Sequence, residues 1–431
     1  MKRRHFIRQI ATVAPLIFAF SPLSAVRRSF LENLLVGDKY KDRILVLIQL
    51  KGGNDSLNTF IPIDKYDILS EARKNILIPE NKILKLHDTN ILGFHPALTG
   101  LQKLYNDKLV TLIQGVGSPN PSFSHTQALE IKYTADPDRI ERHAGWIGRY
   151  LEKSTNNPKG YPLQQTDGPA AIRLEEASSK ITQGNSEDFG IGITSMADLE
   201  KLSETPIEGP LSNDRAGENI ERVRSTFRQL KLYAPNILAS SKKRDNLSKL
   251  YPVLKEPNTH TLAEQLKVVA RLIGSGLNTR IYVLVQSDYD VHSDQVYKSD
   301  PTKGDHARLL TDLSEAITAF QNDLFLMGKQ DQVLGMTFSE FGRRIASNAG
   351  YGTDHGTADT MLLFGSSLKN GIIGSNPVLP AKVSGEDNLP VQFDFRTVYA
   401  SVLKGWFGAP DETTRALFNQ TPGEMLELIK S

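Results

Sequence analysis

Carboxylates and imidazoles recur along this chain in short clusters, most of them placed directly after an apolar run. The tightest is Gly352-Thr353-Asp354-His355-Gly356, where glycines on both sides frame an Asp-His pair. Asn54 and Asp55 follow Gly52-Gly53. Ser122, Ser124 and His125 open a predicted helix. Asp288, Asp290 and His292 fall within five positions, and Glu340 ends another apolar run. Oxygen and imidazole ligands of this kind suit a hard or borderline cation such as Zn²⁺, Mg²⁺, Ca²⁺ or Mn²⁺. A serine at a helix start offers a hydroxyl nucleophile beside free backbone N–H groups that receive an anion, and a nearby dication lowers the hydroxyl pKa. Together they predict a metal-assisted hydrolase with a composite site.

Each cluster has a plainer reading. Asp55 suits an Asx-turn or a helix cap, and Ser124 is a preferred N-cap residue. The 288–292 run suits a solvated loop. Arg343 and Arg344 suit either an anion clamp or pairing with surface carboxylates. Gln295 and His306 fit supporting roles beside a site, and His95, just before Pro96, fits a helix start. What favours one site is the repetition of the pattern after successive strands.

Those strands are legible as runs rich in β-branched residues. Arg43 to Leu50, Leu109 to Gln114, Arg280 to Gln286, Gln332 to Phe338 and Thr360 to Phe364 are nearly continuous apolar stretches, as strands buried on both faces require. Ala170 to Leu174 and Phe189 to Thr194 are shorter candidates. Helical spacing covers Pro96 to Tyr105, Thr126 onward, Ile220 to Tyr233, Thr261 to Leu272, Ala307 to Met327, Phe395 to Phe407 and Met425 to Ile429. The alternation predicts one doubly wound α/β domain over 26–431, three-layered with a mostly parallel sheet and its site at the strand C-terminal ends. The less regular stretch 155–257 reads as an insertion or cap.

Composition narrows the function classes. The 431 residues are 39% hydrophobic, enough for a large core. With 51 basic and 49 acidic residues the formal charge is +2, which gives no case for nucleic-acid binding. The chain has no cysteine, which excludes disulfides, thiolate metal sites and a cysteine nucleophile. Residues 1–25 read as an export signal: Lys2-Arg3-Arg4 precede an apolar stretch from Ile10 to Phe20 and the small residues Ser21, Ser24 and Ala25. The paired arginines predict the twin-arginine machinery as a partner and a periplasmic or secreted location. No segment is long and apolar enough to predict a membrane span in the mature chain.

In order, Gly52 to Asn58 (GGNDSLN), Ser122 to Gln127 (SFSHTQ), Asp290 to Gln295 (DVHSDQ), Thr337 to Arg343 (TFSEFGR) and Gly352 to Gly356 (GTDHG) resemble a bacterial family catalogued as domain of unknown function 1501. That family is grouped with the alkaline phosphatase and sulfatase superfamily. The resemblance implies an alkaline-phosphatase-like fold. It also implies metal ligands at Asp55, helped by Asn54, at Asp290 or Asp288 with His292, at Glu340, and at His355 beside Asp354. Ser124, or less favourably Ser122, takes the nucleophile's place. Phe341 falls where the pattern has a metal-binding histidine, so one or two ions, or none, remain open. The absence of a Cys-x-Pro-x-Arg motif argues against a formylglycine sulfatase. The expected activity is hydrolysis of a small-molecule or glycan phosphate or sulfate ester, catalysed by Ser124, His125 and Arg343. The rival is an exported binding or assembly protein that has lost catalysis. An isomerase or mutase is a weaker third option.

Overall fold

The computed structural model describes residues 40–137, 144–154, 167–174, 177–204, 215–253, 261–418 and 425–430. The export-signal assignment and part of the 155–257 stretch lie outside these residues. Arg43–Ser431 forms one compact unit.

Twelve strands are described: β1 (Ile44–Leu50), β2 (Phe60–Pro62), β3 (Leu84–Lys85), β4 (Leu92–Phe94), β5 (Val110–Gly117), β6 (Ala171–Leu174), β7 (Gly190–Ile193), β8 (Ile281–Gln286), β9 (Val333–Phe338), β10 (Asp359–Phe364), β11 (Gly371–Ile373) and β12 (Phe393–Asp394). Nine build one sheet in the order β11-β5-β10-β9-β1-β8-β6-β7, with β12 also pairing β5; β2, β4 and β3 form a small second sheet. In the large sheet only β10 runs against its neighbours. The strands β6 and β7, from the stretch read as an insertion, extend this same sheet.

The continuous apolar runs have a simple cause. Every residue of β1, β8, β9 and β10 is buried. Successive side chains alternate between two faces. Thus Ile44, Val46, Ile48 and Leu50 enter one core, while Leu45 and Leu47 enter the other. The first core is closed by the helices Thr99–Asn106, Leu262–Ser275 and Asp305–Leu326. The second is closed by His125–Thr134, Trp146–Ser154, Phe395–Phe407 and Asp411–Phe418. This is the expected three-layer α/β/α arrangement. Local signals bound two of these helices. Thr261 accepts the N–H of Glu264 at the start of Leu262–Ser275, and Gly276 ends it in a left-handed turn (φ 85°). Asp394 caps Phe395–Phe407 through the N–H of Arg396 at 2.8 Å.

One helix expectation fails. Met425 to Ile429 is not helical: Lys369 N–H donates to Leu428 O, Lys430 N–H donates to Ser367 O, and Ile429 bridges Leu368. A short apolar run does not by itself separate a helical turn from a segment that pairs with a neighbouring loop.

The register sets the site. Leu50 of β1 lies opposite Gln286 of β8, and Gln49 lies opposite Phe338 of β9. The three strands therefore stop level with one another, and their following loops leave from one sheet edge. β5 ends at this edge too. Because β10 is antiparallel, the segment before it, carrying Asp354 and His355, arrives at the same edge.

Candidate metal centre

Two glycines after β1 let the loops meet. Gly52 has φ 125°, and a Cβ there would lie 2.2 Å from the backbone N of Asp290. Gly53 has φ 86°, and a Cβ there would lie 2.6 Å from the Phe341 ring. Only glycine fits both the backbone angle and the space.

Arg343 then ties the loops together. Its side chain is 1% exposed. Nε donates to Gly53 O at 2.8 Å and Nη1 to Thr353 O at 2.8 Å; Nη2 donates to Gly52 O, to Tyr289 O at 3.1 Å and to Asp290 Oδ1 at 2.7 Å. Its donors are committed to the protein, so it does not face a ligand as the anion clamp expected from the sequence. Arg344 donates to His355 O and Gly385 O and pairs with Glu386.

Above this anchor, imidazole nitrogens converge on the Asp290 carboxylate. Nε2 of His125 lies 3.2 Å from Oδ2; Nε2 of His292 and of His355 lie 3.1 and 3.3 Å from Oδ1. The two latter Nε2 atoms are 2.9 Å apart. One ligand atom each from His125, Asp290 and His355 fall within 4.8 Å of one another. On the far side of each ring, Nδ1 meets an oxygen: Glu340 Oε1 at 2.9 Å for His125, Asp354 Oδ1 at 3.1 Å for His292, and Phe123 O at 2.7 Å for His355.

These contacts decide what fits here. A carbonyl or a carboxylate accepts, so each Nδ1 carries the hydrogen and a neutral ring turns its Nε2 lone pair inward. The inner atoms are then all acceptors. Nε2 of His125 is buried and makes no hydrogen bond despite its distance from Asp290. Acceptors pressed together in this way fit a cation, and imidazoles held by an oxygen at the far nitrogen are the usual form of metal-binding histidines. The alternative occupant is protons, with imidazolium rings pairing Asp290.

The electrostatics agree with an anionic ligand. Burial would raise Asp290, but the hydrogen bond and charge of Arg343, with His355 and His125, hold it down to about 2. Burial lowers His355 below the ordinary histidine value, favouring the neutral ring. Burial would also raise Asp354, yet its bonds from Asn348 and His292 bring it below the usual carboxylate range. Phe341 is 3% exposed, and its ring centroid lies 4.9 Å from His125 and 4.5 Å from His355. It is an apolar wall that fixes the two rings.

Other predicted residues fall outside the cluster. Asp55 is buried and accepts from Arg73 Nη2 at 2.9 Å on both oxygens and from Gln295 Nε2 at 2.7 Å. Burial would raise its pKa; the Arg73 charge, with His306, brings it down instead. Asn54 Oδ1 accepts from Thr59 and faces His306 Nε2 at 3.2 Å. Asp288 is exposed, in left-handed backbone (φ 77°), and takes no part in the contacts that join the cluster. Glu340 holds His125 and the Gly52 N–H at 2.8 Å and does not join the inner atoms. Ser124 is exposed at the N-cap of His125–Thr134, and its side chain makes no cap hydrogen bond. Ser122 Oγ donates to Gln127. Arg73 and the Phe123 carbonyl were not foreseen, and neither carries a sequence signal.

Fold and site together define a three-layer α/β protein with a histidine–carboxylate centre at the edge of a mostly parallel sheet. The chain belongs to the family described as protein of unknown function (DUF1501), whose model matches residues 114–411. No curated protein matches the sequence. Among solved structures, the chain is similar to a protein in the alkaline phosphatase superfamily from Vibrio parahaemolyticus, at 10% identity and a TM-score of 0.37, covering 78% of this chain and 63% of that one. It is similar to the PsFucS1 sulfatase from Pseudoalteromonas sp., at 12% identity and a TM-score of 0.36, covering 91% and 73%. It is also similar to an alkaline phosphatase from the Antarctic bacterium TAB5, at 8% identity and a TM-score of 0.31, covering 76% and 93%. Among the described residues no helix is long and apolar enough to cross a membrane.

Proposed function

We propose that this protein is an exported, metal-dependent hydrolase of phosphate or sulfate esters, small-molecule or glycan in scaffold. The observation that carries the reading is the convergence of the His125, His292 and His355 Nε2 atoms on the Asp290 carboxylate, with every Nδ1 held by an oxygen. These residues would hold one divalent cation. A donor set dominated by imidazole favours zinc or a related transition metal over Mg²⁺ or Ca²⁺. When bound, such an ion polarises the ester oxygen and lowers the pKa of a neighbouring hydroxyl.

The chain's own groups supply the rest. Ser124 stands between Phe123, whose carbonyl holds His355, and His125, whose ring faces Asp290, so both of its neighbours are pinned to the centre. Its hydroxyl, unused as a cap, is the nucleophile in this reading. The first-turn N–H groups of His125–Thr134 have no acceptor within their helix and favour an anion. Glu340 and Asp354 fix the rings. Arg343 acts through Asp290 and the loop carbonyls, as a positioning residue and not as a clamp. Asp55, through Gln295 and Thr353, steadies the loop that carries His355, and Asn54 binds Thr59 and faces His306.

The test is a panel of chromogenic phosphate monoesters, diesters and sulfate esters with Zn²⁺, Mn²⁺, Mg²⁺ and Ca²⁺. Turnover that needs a metal and disappears in Ser124→Ala supports the enzyme. Silence across the panel favours the second reading, an exported binding or assembly protein. The specific observation behind that rival is Phe341, an apolar ring where the family resemblance implies a metal ligand. Export rests on residues 2–25; replacing Arg3 and Arg4 with lysine should retain the precursor inside the cell, and unimpaired export would remove this part.

A further inference from the structure

Resting on the metal-centre reading, we infer that the centre takes a single divalent ion and that the guanidinium of Arg73 serves Asp55 in the place of a second one. Asp55 is a buried carboxylate five residues past β1. Gln295 Nε2 binds its Oδ2, and Gln295 Oε1 accepts the Thr353 hydroxyl in the loop that carries Asp354 and His355. A carboxylate in that position is an obvious ligand for a second cation. Instead, Nη2 of Arg73 lies 2.9 Å from both of its oxygens, and Nη1 donates to Asn58 at 3.1 Å. The Arg73 side chain is 0% exposed. A guanidinium buried against both carboxylate oxygens leaves them no room for a solvent cation.

The donors that a second ion would need are also committed. Glu340 Oε1 accepts from Gly52 N–H and meets His125 Nδ1, while Oε2 meets Ser339 Oγ at 3.3 Å. Phe341 offers no donor atom. Asn54 is spent on Thr59 and His306.

The experiment is equilibrium dialysis of the chelator-stripped protein against Zn²⁺ or Mn²⁺ with elemental analysis. One equivalent per chain is expected. His292→Ala should weaken it at least tenfold. The double variant Asp55→Asn/Arg73→Gln, which keeps a neutral polar pair, should still bind one equivalent with affinity changed less than about threefold. Two equivalents in the wild-type protein, or loss of the equivalent in the double variant, would overturn the inference and leave the hydrolase reading standing. No bound metal in the wild type would remove both. If the double variant does not fold, the wild-type stoichiometry decides alone.

Discussion

Glu340 holds His125: its Oε1 lies 2.9 Å from Nδ1 of the ring and takes the Gly52 N–H at 2.8 Å through the same oxygen. One buried carboxylate therefore orients a candidate ligand and fixes the loop that makes room for Asp290. Glu340→Ala should weaken metal binding by about 10–100-fold, the usual cost of losing such a partner. Competition with a chromophoric chelator measures it. An unchanged affinity would show that His125 does not depend on Glu340.

Gly52→Ala tests the close approach of the loops. The added Cβ meets the Asp290 backbone at 2.2 Å in a backbone conformation that disfavours side chains. Strain of this kind costs on the order of 1–3 kcal/mol, and the Asp290 carboxylate should shift from the three rings. Denaturant unfolding and metal titration should both move. A variant as stable as wild type with unaltered metal binding would contradict the packing argument.

Arg343→Lys separates a positioning residue from a substrate clamp. Lysine keeps the charge but cannot reach Gly52 O, Gly53 O, Tyr289 O, Thr353 O and Asp290 together. The expected loss is about 2–4 kcal/mol of stability, from buried carbonyls left without donors. Thermal unfolding in the absence of any ester substrate reads it. An anion clamp would instead lower only substrate affinity.

Burial lifts Asp359 to about 7, against the Thr360 N–H and the Lys132 charge, which pull it down. Its ordinary value is 3.8, so between these limits the folded protein keeps a proton that the unfolded chain has released. The unfolded state binds fewer protons in that window, so this group's contribution to stability falls as pH rises from 3.8 to 7. Buried His306, pushed down to about 4 by burial, has the opposite sign: its contribution falls as pH drops from 6.5 towards 4. Asp359→Asn removes the first effect and also the charge that faces buried Lys132, which offsets part of the gain. It should raise stability at pH 8 by on the order of 2 kcal/mol and by much less at pH 4. Denaturant curves at the two pH values check this, and an equal gain at both would contradict it.

Much of this arrangement could be read from the chain, for a physical reason. Strands buried on both faces must be continuously apolar, so β1, β8, β9 and β10 stand out, and loops after level strand ends must meet. The expectation gathers Asp55, Ser124, Asp290 or Asp288, His292, Glu340 and His355 at one site; Asp290, His292 and His355 meet, Glu340 stands behind His125, and Asp55 pairs with Arg73. Asp288 and Asp290 could not be separated by spacing, because a left-handed residue at 288 turns the loop (φ 77°). Arg73 was invisible because a long-range ion pair leaves no periodic trace, and it changes the reading of Asp55 from ligand to ion-pair partner. Arg343 was noticed for its charge, but its burial follows from the meeting of three loops, which no local pattern encodes. The short strands β2, β3 and β4 were missed because two or three residues carry no measurable alternation.

His125, His292, His355 and Asp290 are proposed to hold a divalent cation. The sharpest check is anomalous diffraction at the zinc edge, from crystals of chelator-stripped protein soaked in a low concentration of Zn²⁺. One strong peak is expected within bonding distance of Asp290 and the three Nε2 atoms, absent in crystals of His355→Ala. No peak there, with the rings instead hydrogen-bonded as imidazolium to Asp290, would rule the metal centre out.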